Sequence, residues 1–176
     1  MVNRQGARLS AGLLLYRFRQ GALEVMLVHM GGPFWKRKDA GAWSIPKGEY
    51  QRPEEPLDAA RREFAEETGL MAPAREPVDL GTVKQPGGKL IRAFAVEGDA
   101  DVNAIRSNSF ELEWPRGSGT VKEFPEVDRA EWFEPESARA KLLEGQVPFL
   151  EALESFLEER RADRSAAGER EAPGAR

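Results

Sequence analysis

The chain has 176 residues, 40% hydrophobic and 32% charged, with 26 Lys and Arg against 30 Asp and Glu for a net charge of −4. This suits one globular domain with a charge-rich surface, and it offers no global attraction to nucleic acid polymers or anionic membranes. There is no Cys and His29 is the only His, which excludes disulfides, zinc–thiolate sites, iron–sulfur clusters, thiol nucleophiles and multi-His metal sites. Any metal is therefore held mainly by oxygen, which favours Mg²⁺ or Mn²⁺. No stretch approaches the ~20 apolar residues of a membrane span. The apolar run Ala11 to Tyr16, between arginines, is too short for a secretion signal, so a cytoplasmic location is expected.

Leu9 to Phe18 and Leu23 to Met30 read as two strands joined by a turn at Arg19 to Ala22. Gly31 to Ala42 is a Gly- and Pro-containing loop carrying Lys36, Arg37 and Lys38, and Trp43 to Ile45 is a short extended piece halted by Pro46. Pro56 to Thr68 is the best helix in the chain. Pro56 fits its first turn, Glu54 and Glu55 suit the positive end of its dipole, and Gly69 stops it. Leu57, Ala60, Phe64 and Thr68 recur at helical spacing and form its inward face. Val78 to Lys84 and Lys89 to Glu97 read as strands about a Pro-Gly-Gly turn. Between Asp99 and Gly119 only a strand near Phe110 to Trp114 is suggested. Ala130 to Phe133 reads as a strand, Ser137 to Leu143 and Phe149 to Arg160 as helices. From 162 to 176 only small, Pro and charged residues remain, and a disordered tail is expected after a domain spanning 1–161.

The chemistry concentrates in Arg62-Glu63-Phe64-Ala65-Glu66-Glu67. At about 100° per residue, Glu63, Glu66 and Glu67 fall within one sector of the helix, with Phe64 facing away toward the core. Like charges at that spacing destabilise a helix, and a multivalent cation between them turns the arrangement into a binding site whose oxygen ligands suit Mg²⁺. A solvated acidic face is the alternative reading of these three residues taken alone.

The surrounding spacing favours the site. Gly48, five residues, Glu54, seven residues, Arg62-Glu63, then Phe64, Glu66-Glu67, Gly69 and Leu70 resembles the Nudix box, Gx5Ex7REUxEExGU with U a bulky apolar residue, at every position. Seven fixed identities coincide by chance with probability on the order of 10⁻⁸ per window. Trp43-Ser44-Ile45-Pro46-Lys47-Gly48 is similar to the segment that precedes the box in many Nudix enzymes, including MutT-like and dinucleoside-polyphosphate ones. The resemblance implies an α/β fold, an α/β/α sandwich with a mixed sheet. It implies metal-binding carboxylates at Glu63, Glu66 and Glu67, with Glu63 also at the position that serves or orients the general base in some members. It implies pairing of Arg62 with the box carboxylates, an outer supporting role for Glu54, a metal contact from the Lys47 carbonyl, and turns at Gly48 and Gly69. Glu126, six residues before Trp132, is similar to an additional loop ligand of the family.

The reaction so implied is hydrolysis of a diphosphate linkage in a nucleoside diphosphate derivative with Mg²⁺ or Mn²⁺. Nucleoside triphosphates or dinucleoside polyphosphates are favoured over nucleotide sugars, ADP-ribose or inositol polyphosphates. A small nucleotide-like molecule is thus the expected partner. A non-catalytic, nucleotide-binding regulatory Nudix module is the alternative, disfavoured by the intact box. A calcium protein fits poorly, because the carboxylates lie on a helix and not on a loop of alternating ligands. Lys36, Arg37, Lys38 and Lys47 are candidates to hold substrate phosphates, and Phe34 and Trp35 to stack a base. His29 reads as a structural His and Trp132 as a core residue.

Overall fold

The structure is a computed structural model that describes residues 8–170. Strands β1 (Leu9–Arg19) and β2 (Ala22–Met30) open the chain as a hairpin. Gln20 and Gly21 at its tip both have positive φ, 51° and 83°, the condition for a tight turn that matches the strand twist. The strands then diverge. The first half of β1 pairs antiparallel with β4 (Lys47–Tyr50), and β1 from Leu9 to Tyr16 runs parallel to β6 (Leu90–Glu97). β5 (Val78–Lys84) pairs with β6 at the sheet edge. The second half of β2 lies between β3 (Trp43–Ser44) and β9 (Val127–Phe133). β7 (Ser109–Glu113) and β8 (Val121–Pro125) form a separate two-stranded sheet.

Among the described residues, three α-helices cover the mixed sheet. α1 (Pro56–Thr68) lies on one face, and α2 (Pro135–Lys141) and α3 (Val147–Arg170) on the other. β1 shows why. It is buried on both faces, so it reads as nearly continuous Leu. Ala11, Leu13 and Leu15 pack with Ala60 and Phe64 of α1, while Leu14 and Tyr16 pack with Phe149, Leu150 and Leu153 of α3. The sandwich implied by the sequence is the observed fold. Phe64 is fully buried, and truncating such a ring to Ala costs about 3–5 kcal/mol.

The differences from the sequence reading have local causes. β4 follows Pro46 directly, and its four residues Lys-Gly-Glu-Tyr carry no apolar alternation. β8 pairs only with β7 and exposes Val121 to Glu123, so it too lacks a hydrophobic signature. α3 does not stop at Arg160, where the sequence reading ended it, but continues to Arg170. Residues 171–176 of the expected tail lie outside the described residues. Ala, Glu and Arg are strong helix formers, and extending a docked helix requires no new nucleus. No helix among the described residues is long and apolar enough to cross a membrane.

The buried residues of α3 end at Leu153, with Phe156 and Leu157 half-buried, and residues 161–167 are exposed. Ending the chain after Arg161 should therefore shift the melting temperature by less than about 2 °C. Thermal denaturation of the shortened protein checks this, and a fall of several degrees would show that the last helical turns carry packing.

Candidate functional site

α1 holds its carboxylates on a well-tied support. Pro56 starts it, and Gly69 ends it in the left-handed region at φ 70° with its N–H bonded to the Ala65 carbonyl. Two further carbonyls of the last turn are satisfied by the segment that leads to β7. Arg106 N–H donates to Thr68 O at 2.7 Å, and Asn108 N–H to Glu66 O at 3.2 Å. These bonds cap orphan acceptors and fix residues 106–108 against the carboxylate helix.

Arg62 organises the outer part of the cluster. Its Nε and Nη2 donate to Glu54 Oε1 and Oε2 at 2.8 and 3.0 Å, a two-pronged pair, while Nη1 donates to Glu63 Oε1 at 2.6 Å and Glu66 Oε2 at 3.3 Å. Glu54 is thereby held below the usual carboxylate range by its hydrogen bond from Arg62. Glu63 also lies over Gly48. A Cβ on Gly48 would stand 1.9 Å from Glu63 Oε2. Gly48 was expected to serve an unusual turn, but it sits within β4 and its φ is not positive. The need for glycine there is space for the carboxylate, whereas Gly69 is the left-handed stop the sequence indicated.

The inner part is half-buried, with Lys47 as its cation. Glu67 Oε2 accepts the Lys47 backbone N–H at 2.9 Å. Burial pushes the Glu67 carboxyl up to about 7, against the pull of Lys47 and with added repulsion from Glu63 and Glu126. Burial also raises Glu63, with Arg62 opposing and Glu66 and Glu126 reinforcing. Burial lowers the Lys47 ammonium, with Glu67 the leading opposing charge. Desolvated like charges of this kind form an oxygen donor set that a hard cation relieves. Among the described residues, no three acidic or His side chains already converge as a complete cage. This agrees with Glu63 and Glu66 being turned toward Arg62.

Glu126 reaches this region from the link between β8 and β9 and adds to the repulsion that raises Glu63 and Glu67. With Glu67 and Lys47 it lines a cavity of about 230 Å³. Glu123 pairs across the β7–β8 hairpin with Glu111 instead. Size does not single out this cavity. Hollows of about 440 and 540 Å³ lie against α3 and against Tyr50 and Arg52, and neither touches Glu67 or Glu126.

The candidate phosphate and base contacts divide. Trp35 lines the cavity, but Phe34 does not. Phe34 is 49% exposed and meets Trp114 edge-to-face at 5.2 Å. Lys36 and Arg37 are exposed and make no ion pair among the described residues, and Lys38 Nζ stands 4.7 Å from the Trp35 ring centroid. His29 is fully buried between Asp128 Oδ1 and Lys38 O, each at 2.8 Å. It is therefore a brace for the 31–42 loop. Trp132 is half-buried against the α1-side core, as expected, with Arg17 4.0 Å from its ring centroid.

Sequence reasoning missed Phe110, which lines the cavity, and Gln146. Gln146 is fully buried and its Oε1 accepts Ile45 N–H at 2.9 Å, while Nε2 donates to Ser44 Oγ at 3.0 Å. The only signal for either is a side chain out of character with its segment: a ring in a polar hairpin and an amide among apolar residues.

The Glu67 shift has a consequence for stability without metal. The folded value lies above the unfolded one of about 4.3, so the native state binds the additional proton. The stability this contributes is present below that unfolded value and is lost as pH rises through about 7. In chelator-containing buffer, Glu67→Gln should gain melting temperature relative to the parent progressively from pH 5 to pH 8. Parallel melting curves across that range would contradict it.

Comparison with known proteins agrees with this geometry. Over 38 residues the chain is 58% identical to an RNA pyrophosphohydrolase of Thioalkalivibrio sulfidiphilus, a match that spans 21% of this chain and 22% of the relative. The NUDIX domain of Shewanella oneidensis NrtR, solved with ADP ribose, superposes with a TM-score of 0.60 at 17% identity, covering 87% of this chain and 90% of that one. A C. elegans Ap4A hydrolase superposes with a TM-score of 0.58 at 20% identity, covering 85% and 98%. At such identities the two structures establish likeness of fold. The sequence profile of the NUDIX domain matches residues 6–153, most of the chain and all of its carboxylate cluster, and the protein therefore belongs to the NUDIX family.

Proposed function

We propose that the protein hydrolyses a diphosphate linkage in a nucleoside diphosphate derivative with Mg²⁺ or Mn²⁺, nucleoside triphosphates and dinucleoside polyphosphates being the favoured substrates. The observation that carries this reading is the meeting of Glu67, Glu126 and Lys47 at a cavity of about 230 Å³, with Glu63 on the same helix and both helix carboxyls raised by burial. The named relatives support the substrate class. One is an RNA pyrophosphohydrolase, one an Ap4A hydrolase, and one a domain bound to ADP ribose, and Ap4A and ADP ribose each contain a phosphoanhydride linkage to a nucleotide.

Glu63, Glu66, Glu67 and Glu126, with the Lys47 carbonyl, are the groups we assign to hold the cation. Mg²⁺ is usually bound by one or two carboxylates together with water and substrate phosphates, so an incomplete protein cage fits it. When bound, such an ion supplies charge neutralisation at the phosphoryl oxygens and acidifies the attacking water. The chain's own part is positional. Arg62 fixes Glu63 and Glu66 and is itself fixed by Glu54. Lys47 offers its N–H to Glu67 and its ammonium to an anionic substrate. A carboxylate of the cluster takes the proton of the attacking water, and no covalent intermediate is required.

Incubating the full chain with a panel of nucleoside triphosphates, dinucleoside polyphosphates, ADP-ribose and nucleotide sugars, and identifying products by mass, tests the reaction. Activity should vanish in excess chelator. Glu63→Gln and Glu67→Gln should each lose at least ~10²-fold in turnover while remaining folded, because a general-base contribution alone is worth about 10²–10⁴-fold. Near-parent rates in both would point instead to a regulatory nucleotide-binding module.

Glu126 can be separated from its neighbour. Glu126→Gln should reduce turnover chiefly at limiting metal and recover in part at high Mn²⁺, whereas Glu123→Gln should have little effect. A damaging Glu123→Gln with a silent Glu126→Gln would reverse the assignment.

A further inference from the structure

α3 outruns the core that it covers. Its buried residues end at Leu153, yet Glu154, Leu157, Glu158, Arg161 and Arg164 carry one face onward at helical spacing. This face overhangs the β1–β2 hairpin, and a cavity of about 440 Å³ lies between it and Tyr16, Phe18 and Leu23. No residue of α1 or β4 lines that cavity, so it is separate from the carboxylate site.

Three observations point to a ligand. Tyr16 is 3% exposed and lines the cavity, and its hydroxyl makes no hydrogen bond among the described residues. A phenol so enclosed usually finds a partner. Burial raises the hydroxyl above its ordinary value, with Glu97 adding and Arg160 and Arg75 opposing, so it keeps its proton and is a donor. Next, Arg161 and Arg164 make no ion pair among the described residues, and Arg160 stands 5.6 Å from the Phe156 ring centroid. Two of the acids beside them already face other cations. Glu154 accepts from Arg139 at 2.7 Å, and Glu97 lies 3.5 Å from Arg75. Glu158 alone remains against three arginines. Finally, Phe18 is 51% exposed; Tyr16 meets it edge-to-face at 6.3 Å, and no cation lies over its ring among the described residues.

We propose that the cavity between α3 and the β1–β2 hairpin binds a small aromatic anion, with its acid group on the Tyr16 hydroxyl and the Arg161 and Arg164 guanidinium groups and its ring on Phe18 and Leu157. This goes beyond the hydrolase reading and does not depend on it. A neutral ring would leave the hydroxyl and both guanidinium groups without an acceptor. An inorganic anion would leave Phe18 and Leu157 facing water. A molecule with both parts satisfies each, and planar guanidinium groups suit flat rings as well as acid groups. The volume falls within the ~300–1,000 Å³ of ordinary small-molecule sites.

Fluorescence titration of the full chain with 8-anilinonaphthalene-1-sulfonate and with its uncharged relative N-phenyl-1-naphthylamine tests the site, with inorganic sulfate as competitor. The parent should bind the sulfonate at least about tenfold more tightly than the neutral amine. Tyr16→Phe, which removes only the hydroxyl, should weaken the sulfonate by roughly tenfold and leave the amine unchanged. The double variant Arg161→Gln/Arg164→Gln should do the same. Phe18→Ala should weaken both dyes. Both arginines are exposed, so the double variant decides the matter if melting curves show that Tyr16→Phe folds poorly. Equal affinity for the two dyes, displacement of the sulfonate by an equal concentration of sulfate, or a sulfonate affinity unchanged in the arginine variant or in Phe18→Ala would each overturn the proposal.

Discussion

The contact on which the site depends is the one between α1 and β4. Glu67 is pressed onto the strand closely enough to accept the Lys47 N–H, and Glu63 lies where Gly48 has no side chain. Burying carboxylates in this way is unfavourable by itself. It persists because α1 is anchored from behind by Phe64 and Ala60, packed on Leu13 and Leu15. The hydrophobic core thus holds charges where solvent alone would not leave them. Partial burial in that position raises the carboxyls of Glu63 and Glu67.

Arg62 has a complementary task. It shares one guanidinium among Glu54, Glu63 and Glu66, so the outer carboxylates are paired with a cation, while Glu67 rests on the Lys47 N–H. Exposed ion pairs contribute little to stability, and the value of this network is directional. It sets which oxygens are occupied and which face the cavity. A Lys at 62 would keep the charge but lose the planar fork that grips both Glu54 oxygens.

What was legible in the sequence follows from how local the cause was. α1 appears at its true bounds because its periodicity, its first-turn Pro and its Gly stop all lie within the helix. The buried strands β1 and β2 announce themselves by continuous apolar runs. β4 and β8 do not, since one is defined by a space left for Glu63 and the other by pairing with β7 alone. The carboxylate cluster was visible as helix spacing, and Glu126 as resemblance and distance from Trp132. Phe110 was not assigned to the cavity, because its relation to Trp35 exists only through Glu126 and Gly31. The position of Gln146 depends on a contact to Ile45 101 residues away. Long-range contacts of that kind leave no pattern in a single chain.

The segments around the cavity are built to different tolerances. Behind Lys47, the segment Trp43 to Ile45 is held by the Leu143 N–H on Trp43 O at 2.8 Å, by the Gln146 amide on Ile45, and by the packing of a fully buried Ile45. Polar groups so enclosed must keep their partners or lose about 1–3 kcal/mol each, which makes this side stiff. Across the cavity, the 31–42 loop and the hairpin meet through backbone bonds at Gly31 and Glu126 and through an exposed edge-to-face pair, an interaction worth about 0.5–1.5 kcal/mol. The carboxylates therefore sit on the side that the core and buried amides hold still, and the loop and hairpin opposite touch only lightly. A fold divided in this way accepts changes in the hairpin without disturbing the carboxylates that α1 and β4 fix.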